Sequence, residues 1–78
     1  MNRSQALAMA ILEARTRLGI SQERLAELAK LHRNYIGKIE REISSPTVES
    51  LFAIADALNM SASVLIARAE ELASLPGR

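Results

Sequence analysis

The chain has 78 residues, a formal net charge of +1, 24% charged and 49% hydrophobic residues, a globular composition sized for one small domain. It has no cysteine and a single histidine, which excludes a disulfide scaffold, a thiol nucleophile and a Cys- or His-built metal site. Its uncharged apolar runs fall far short of the ~20 residues of a membrane span. No signal core is expected, because Arg3, Ser4 and Gln5 lead into an Ala-rich helical pattern broken by Glu13.

Aromatic residues are only 3%. The apolar content therefore rests on Ala, Leu and Ile, which favour helix over strand. Charge is unevenly spread. Residues 1–45 carry eight Lys/Arg against five Glu, a surplus of three, whereas residues 46–78 carry two Arg against four acids. An anionic partner is expected on the front half.

Five short helices are predicted. The first runs from about Ser4 to Leu18, where Leu7, Ile11, Ala14 and Leu18 recur at helical spacing and Gly19 supplies a stop. Ser21 caps a second, Gln22 to Lys30, with Leu25, Ala26, Leu28 and Ala29 turned partly inward. After Leu31 and His32 a third runs from Arg33 to Arg41. Residues 42–46 form a loop. Thr47 caps a fourth, Val48 to Leu58, and Ser61 starts a fifth, about Ala62 to Ala73. The tail 74–78 is expected to fray.

The second helix, the turn and the third helix have helix-turn-helix proportions. On a helical wheel of the third, Arg33, Gly37, Arg41, Asn34 and Lys38 fall within about 140° of one another, with Ile36 and Ile39 opposite. One side suits a core and the other an anionic groove. Arg can read guanine bidentately, Asn can read adenine, and Lys can take guanine or phosphate. Gly37 leaves a gap in the polar face, which permits close approach to DNA. An ordinary solvated basic face produces the same wheel.

Residues Ile11 to Leu65 resemble the lambda-repressor-like, Cro/C1-type helix-turn-helix domain, the XRE family. The resemblance rests on Arg15-Thr-Arg-Leu-Gly-Ile-Ser-Gln-Glu-Arg-Leu-Ala, on Leu31-His-Arg-Asn-Tyr-Ile-Gly-Lys-Ile-Glu-Arg, and on Ser45-Pro-Thr with Leu51 and Ala55-Asp-Ala-Leu58. Within the family, Arg33-Asn-Tyr-Ile-Gly with Ile39-Glu-Arg is most similar to controller proteins of restriction–modification systems. The resemblance implies an all-α fold: a five-helix lambda-repressor-like DNA-binding domain spanning 1–78, with its core in 11–65 and the helix-turn-helix in 22–41.

It also implies roles. Arg33, Asn34 and Lys38 match base-reading positions. Gln22, His32, Tyr35, Arg41, Ser44 and Ser45 match contacts to the DNA backbone, Tyr35 from the groove edge and His32 as helix cap or phosphate contact. Arg15 and Glu40 match a structural pair joining the first helix to the end of the third. One departure stands out: Glu42 occupies a position where the family usually has Gly. Either the loop leaves the helix differently or Glu42 adopts a left-handed conformation, unfavourable for an L side chain.

The fifth helix carries an apolar stripe of Leu65, Ile66, Ala69, Leu72 and Ala73. Val64 and Leu65 are expected to cover the core. Ile66, Ala69 and Leu72 exceed what one core needs and, with Leu65, Phe52 and Met60, form a candidate homodimer interface. A stripe that merely closes the monomer is the alternative.

The expected function is a cytoplasmic, sequence-specific transcription regulator. It would bind a two-fold operator in double-stranded DNA as a homodimer and control a restriction–modification operon. The rivals are an antitoxin or phage-type repressor of the same fold, and a helical protein-interaction module without DNA binding. No cofactor, metal, membrane or enzymatic centre is expected, because no motif places a carboxylate to orient the lone His32.

Overall fold

The computed structural model describes residues 1–76. Five helices follow in order: α1 (Arg3–Leu18), α2 (Gln22–Ala29), α3 (Arg33–Glu40), α4 (Val48–Ala57) and α5 (Ala62–Ala73). Among the described residues there is no strand, and no single helix is long and apolar enough to cross a membrane.

Local chemistry sets the helix ends. The side chains of Ser21, Thr47 and Ser61 accept the N–H of Arg24, Ser50 and Val64 respectively, each satisfying an otherwise orphaned donor. α1 begins one residue before the predicted Ser4, because Asn2 and Gln5 exchange side-chain to backbone hydrogen bonds of 2.8 Å each, a reciprocal cap. Gly19 ends α1 at φ +71°. Lys30, Glu42 and Asn59 also adopt positive φ, so three L side chains occupy the left-handed region at chain turns.

Glu42 resolves the departure noted in the sequence. Its N–H bonds the carbonyl of Ile39 at 3.0 Å and the Ile43 N–H bonds that of Lys38 at 2.8 Å. That is a Schellman closure with Glu42 at φ +66° in the place usually given to Gly. The helix therefore closes as it would with Gly at this position, and Glu42 bears the strain.

The core gathers Ile11, Leu25, Ile36, Ile39, Ile54 and Leu65 from all five helices. α1 lies along α5, while α2 touches both α3 and α4. Ala6, Ala10 and Ala14 are buried on α1 and Ala69 on α5; such small side chains let helix axes approach. A bidentate pair, Arg68 to Glu13 at 2.8 and 2.9 Å, clamps α5 to α1 at the rim.

Several expectations change here. Leu28 and Val64 are exposed rather than inward, Val64 by 55%. Leu65, Ala69 and Leu72 are buried within the single protomer, Leu72 to 6% exposure. Packing of α5 along α1 turns that part of the stripe inward, so these three are not free to form an interface. Phe52 (57% exposed) and Ile66 remain outside, and Met60 is half-buried against the core. Of the tail, Ser74 and Leu75 still donate backbone hydrogen bonds to the last turn of α5; the frayed end expected at Gly77 and Arg78 lies outside the described residues.

Candidate nucleic-acid interface

α3 is held on its inner side by Ile36 and Ile39, both almost fully buried. Its outer side presents Arg33, Asn34, Lys38 and Arg41, all exposed. Among the described residues none of these three cations lies within 4.0 Å of a carboxylate; the ion pairs involve Arg15, Arg17, Arg24 and Arg68 instead. These three cations are left to solvent or to an anionic partner. A shallow hollow of about 190 Å³ opens on this side, lined by Gln22, Arg33, Asn34, Gly37 and Arg41.

Gly37 sits at the floor of that hollow and is buried rather than exposed as the wheel suggests. The Arg41 side chain folds back over it, donating from Nε to the Gly37 carbonyl at 3.2 Å, and Gln22 covers it from α2. Two neighbouring side chains, not the helix itself, account for its burial.

Beneath the surface lies the expected Arg15–Glu40 pair. Arg15 donates from Nε and Nη2 to the two carboxylate oxygens at 2.7 and 3.0 Å, and from Nη1 to the Ile20 carbonyl at 2.9 Å. The hydrogen bond to Glu40 pushes the Arg15 guanidinium upward from its ordinary value, against the cost of partial burial. Gln22 joins this pair, its amide nitrogen donating to Glu40 Oε1 at 2.9 Å. No local signal predicted that third member.

Tyr35 is committed elsewhere. Its hydroxyl meets Ser50 Oγ at 2.9 Å and accepts from the Thr47 N–H at 3.2 Å. It thereby ties α3 to the capped start of α4; a phosphate, which only accepts, would take the hydroxyl proton from Ser50 and leave the Thr47 N–H bond in place. His32 occupies the N-cap position of α3 but makes no side-chain cap bond; its exposed ring is left for solvent or a partner. Ser44 is half-buried at the loop, its N–H bonded to Lys38 O at 3.2 Å, and Ser45 is exposed.

A basic helix, exposed on one face and seated on a preceding helix by a short turn, defines a helix-turn-helix protein. The helix-turn-helix family profile matches residues 11–65, and the chain belongs to that family, in its XRE type of DNA-binding transcription regulators. It is similar to the control protein C.SmaI of Serratia marcescens, 40% identical over 68 residues that cover 87% of this chain and 81% of that one. Among solved structures it is similar to the restriction–modification controller protein C.AhdI of Aeromonas hydrophila. That likeness has 32% identity and a TM-score of 0.77, over 80% of this chain and 94% of that one. It is also similar to the controller protein C.Esp1396I, solved as a tetramer in complex with its natural 35 base-pair operator. Here identity is 30% and the TM-score 0.83, over 91% of this chain and 93% of that one.

Proposed function

We propose that this protein binds a two-fold operator as a homodimer and controls the expression of a restriction–modification operon. The observation that carries DNA binding is the outer face of α3, where Arg33, Asn34 and Lys38 stand exposed and, among the described residues, Arg33 and Lys38 have no carboxylate within 4.0 Å. Arg33 and Lys38 are suited to guanine and Asn34 to adenine. His32, Arg41, Ser44, Ser45 and the start of α2 at Gln22 flank that face and would contact phosphates. Tyr35 contributes by bracing α3 against α4. The likeness to a controller protein solved on its operator supports the same use of the fold.

One short helix reads few base pairs, and pairing doubles the contacts. Phe52, Met60 and Ile66 remain as the dimer surface, without the buried Leu65, Ala69 and Leu72.

Salt-titrated gel shifts on duplexes selected from a random library test the reading. Affinity should fall steeply with salt, at a slope of about −0.9 per neutralised phosphate. Arg33→Ala should cost about 1–3 kcal/mol on the selected duplex and relax preference at one base pair. Salt-independent binding, or no selected sequence at all, refutes it.

A further inference from the structure

Glu40 lies beneath the recognition surface with both oxygens engaged. Oε2 accepts from Arg15 Nε at 2.7 Å; Oε1 accepts from Arg15 Nη2 at 3.0 Å and from the Gln22 amide nitrogen at 2.9 Å. The first two bonds join helices. The third does something different, because an ionised carboxylate only accepts hydrogen bonds. Gln22 must turn its NH2 towards Glu40, and its carbonyl is thereby turned away.

That carbonyl lies over Gly37. A Cβ placed on Gly37 would be 3.6 Å from Gln22 Oε1 and 3.7 Å from Arg41 Nη2. Gln22 and Gly37 line one hollow with Arg33, Asn34 and Arg41, and Gln22 Oε1 stands on the Gly37 side of it. A glutamine free on a surface offers either end of its amide. Here a fixed charge selects one end, and the residues around it are two guanidinium donors and one amide.

We propose that Gln22 is a specificity-determining residue of this surface: its carbonyl, oriented by Glu40, accepts a hydrogen bond from the exocyclic amine of an adenine or cytosine in the major groove, beside the bases that Arg33 and Asn34 read. Adenine N6 and cytosine N4 are the hydrogen-bond donors that base edges offer there. Phosphate oxygens offer none, so this carbonyl is matched to an amine and not to the DNA backbone, whichever group the second N–H of the Gln22 amide meets. The main-chain N–H of Gln22, at the start of α2, keeps its backbone role. Glu40 is a positioning residue that acts through Gln22. The inference rests on the DNA-binding reading above.

Selection from a fully randomised double-stranded DNA library, followed by sequencing, tests it with wild type, Gln22→Met and Glu40→Gln. Wild type should enrich a motif with A or C at one position next to the contacts of Arg33. Gln22→Met keeps the length of the side chain and the Arg15–Glu40 pair. It should enrich the same motif but lose preference at that single position, by about tenfold, while a melting scan shows it still folded at the binding temperature. Glu40→Gln removes the charge that fixes the Gln22 amide: one carbonyl cannot serve Arg15 Nε, Arg15 Nη2 and Gln22 together, so the orientation of Gln22 is released. Preference at that position should broaden from A or C to include G or T, whose edges accept. A purely structural Glu40 would change stability and leave base preference where it was. If Gln22→Met weakens binding equally on every sequence, Gln22 is a phosphate anchor and the proposal fails; it fails also if the motif is unchanged. Should Glu40→Gln not fold, Gln22→Met decides alone. A wild type that enriches no motif overturns the DNA-binding reading itself, an outcome distinct from an intact motif indifferent to Gln22.

Discussion

Arg15 closes on Glu40 through two hydrogen bonds, Nε to Oε2 at 2.7 Å and Nη2 to Oε1 at 3.0 Å, across 25 residues of chain. The Glu40 side chain is only 6% exposed and that of Arg15 15%. Removing one partner strands a nearly buried charge, whereas removing both strands none. Arg15→Met should therefore destabilise the fold by about 3 kcal/mol, and Arg15→Met with Glu40→Met by clearly less. Urea denaturation of the two single variants and the double completes the cycle. Single changes that cost under about 1 kcal/mol would show a pair behaving as a surface one.

Glu42 holds φ +66° at the end of α3. The left-handed region costs an L side chain about 1–2 kcal/mol relative to glycine's freedom there. Glu42→Gly should raise the melting temperature by about 4–8 °C, the equivalent of about 1 kcal/mol in a domain of this size. Glu42→Ala removes the charge but keeps the Cβ, and should not gain. Equal gains from both would mean that charge repulsion, not backbone strain, is relieved.

Gly37 has room for a methyl, with its nearest neighbours at ordinary contact distances of 3.6 and 3.7 Å. Gly37→Ala should stabilise α3 by about 1 kcal/mol through helix propensity. The same methyl rises between Gln22 and Arg41 into the hollow, so binding to a selected duplex should weaken several-fold. A melting scan and a gel shift on one preparation separate the two effects. Unchanged affinity would show that DNA does not approach this hollow.

The Arg68 hydrogen bonds hold the Glu13 carboxyl below its ordinary value of 4.5, and Glu13 in turn raises the Arg68 guanidinium. A depressed carboxyl makes the unfolded state the better proton binder in acid. The pair's stabilisation is thus complete above the ordinary carboxylate range and lost as pH falls through the lower folded-state value. Glu13→Gln should flatten the acid side of a melting-temperature profile between pH 7 and pH 3. The half-exposed Arg68 also makes the contribution shrink with added salt. A variant profile parallel to wild type would contradict this linkage.

The proposed dimer rests on exposed apolar residues of α4 and α5. Phe52→Glu and Ile66→Glu should each leave the melting curve near wild type, because neither side chain is buried in the protomer. The variant that meets the interface should sediment as a monomer at micromolar concentration. It should also lose operator binding more than non-specific binding, since half-sites about 10 base pairs apart must be held together. Wild type sedimenting as a monomer and binding one half-site as well as two would end the dimer reading.

Much of α3 is legible in the sequence. Ile36 and Ile39 fall on one side of a wheel and the polar residues on the other, and the folded chain keeps that division. Gly37 escapes the wheel because its burial depends on side chains from α2 and from its own end. The Arg15–Glu40 pair comes from family resemblance rather than from spacing. Gln22 falls at the right end of α2, but its bond to Glu40 joins residues 18 apart and leaves no local trace.

Helix number, caps and stops were determined by the sequence alone, because each depends on residues within one or two turns: Ser21, Thr47 and Ser61 as caps, Gly19 as a stop. At Glu42 the sequence left two outcomes open, a different loop exit or a left-handed residue, and the hydrogen bonds of the folded loop select the second. Which residues of a stripe enter the core was decided only by tertiary structure. Leu72 and Ile66 lie on one stripe of α5, yet packing against α1 buries the first and leaves the second outside. Arg68 found Glu13 across 55 residues for the same reason. Such contacts form where helices happen to approach, and the approach is set by all five packing together rather than by any segment that a reader can isolate.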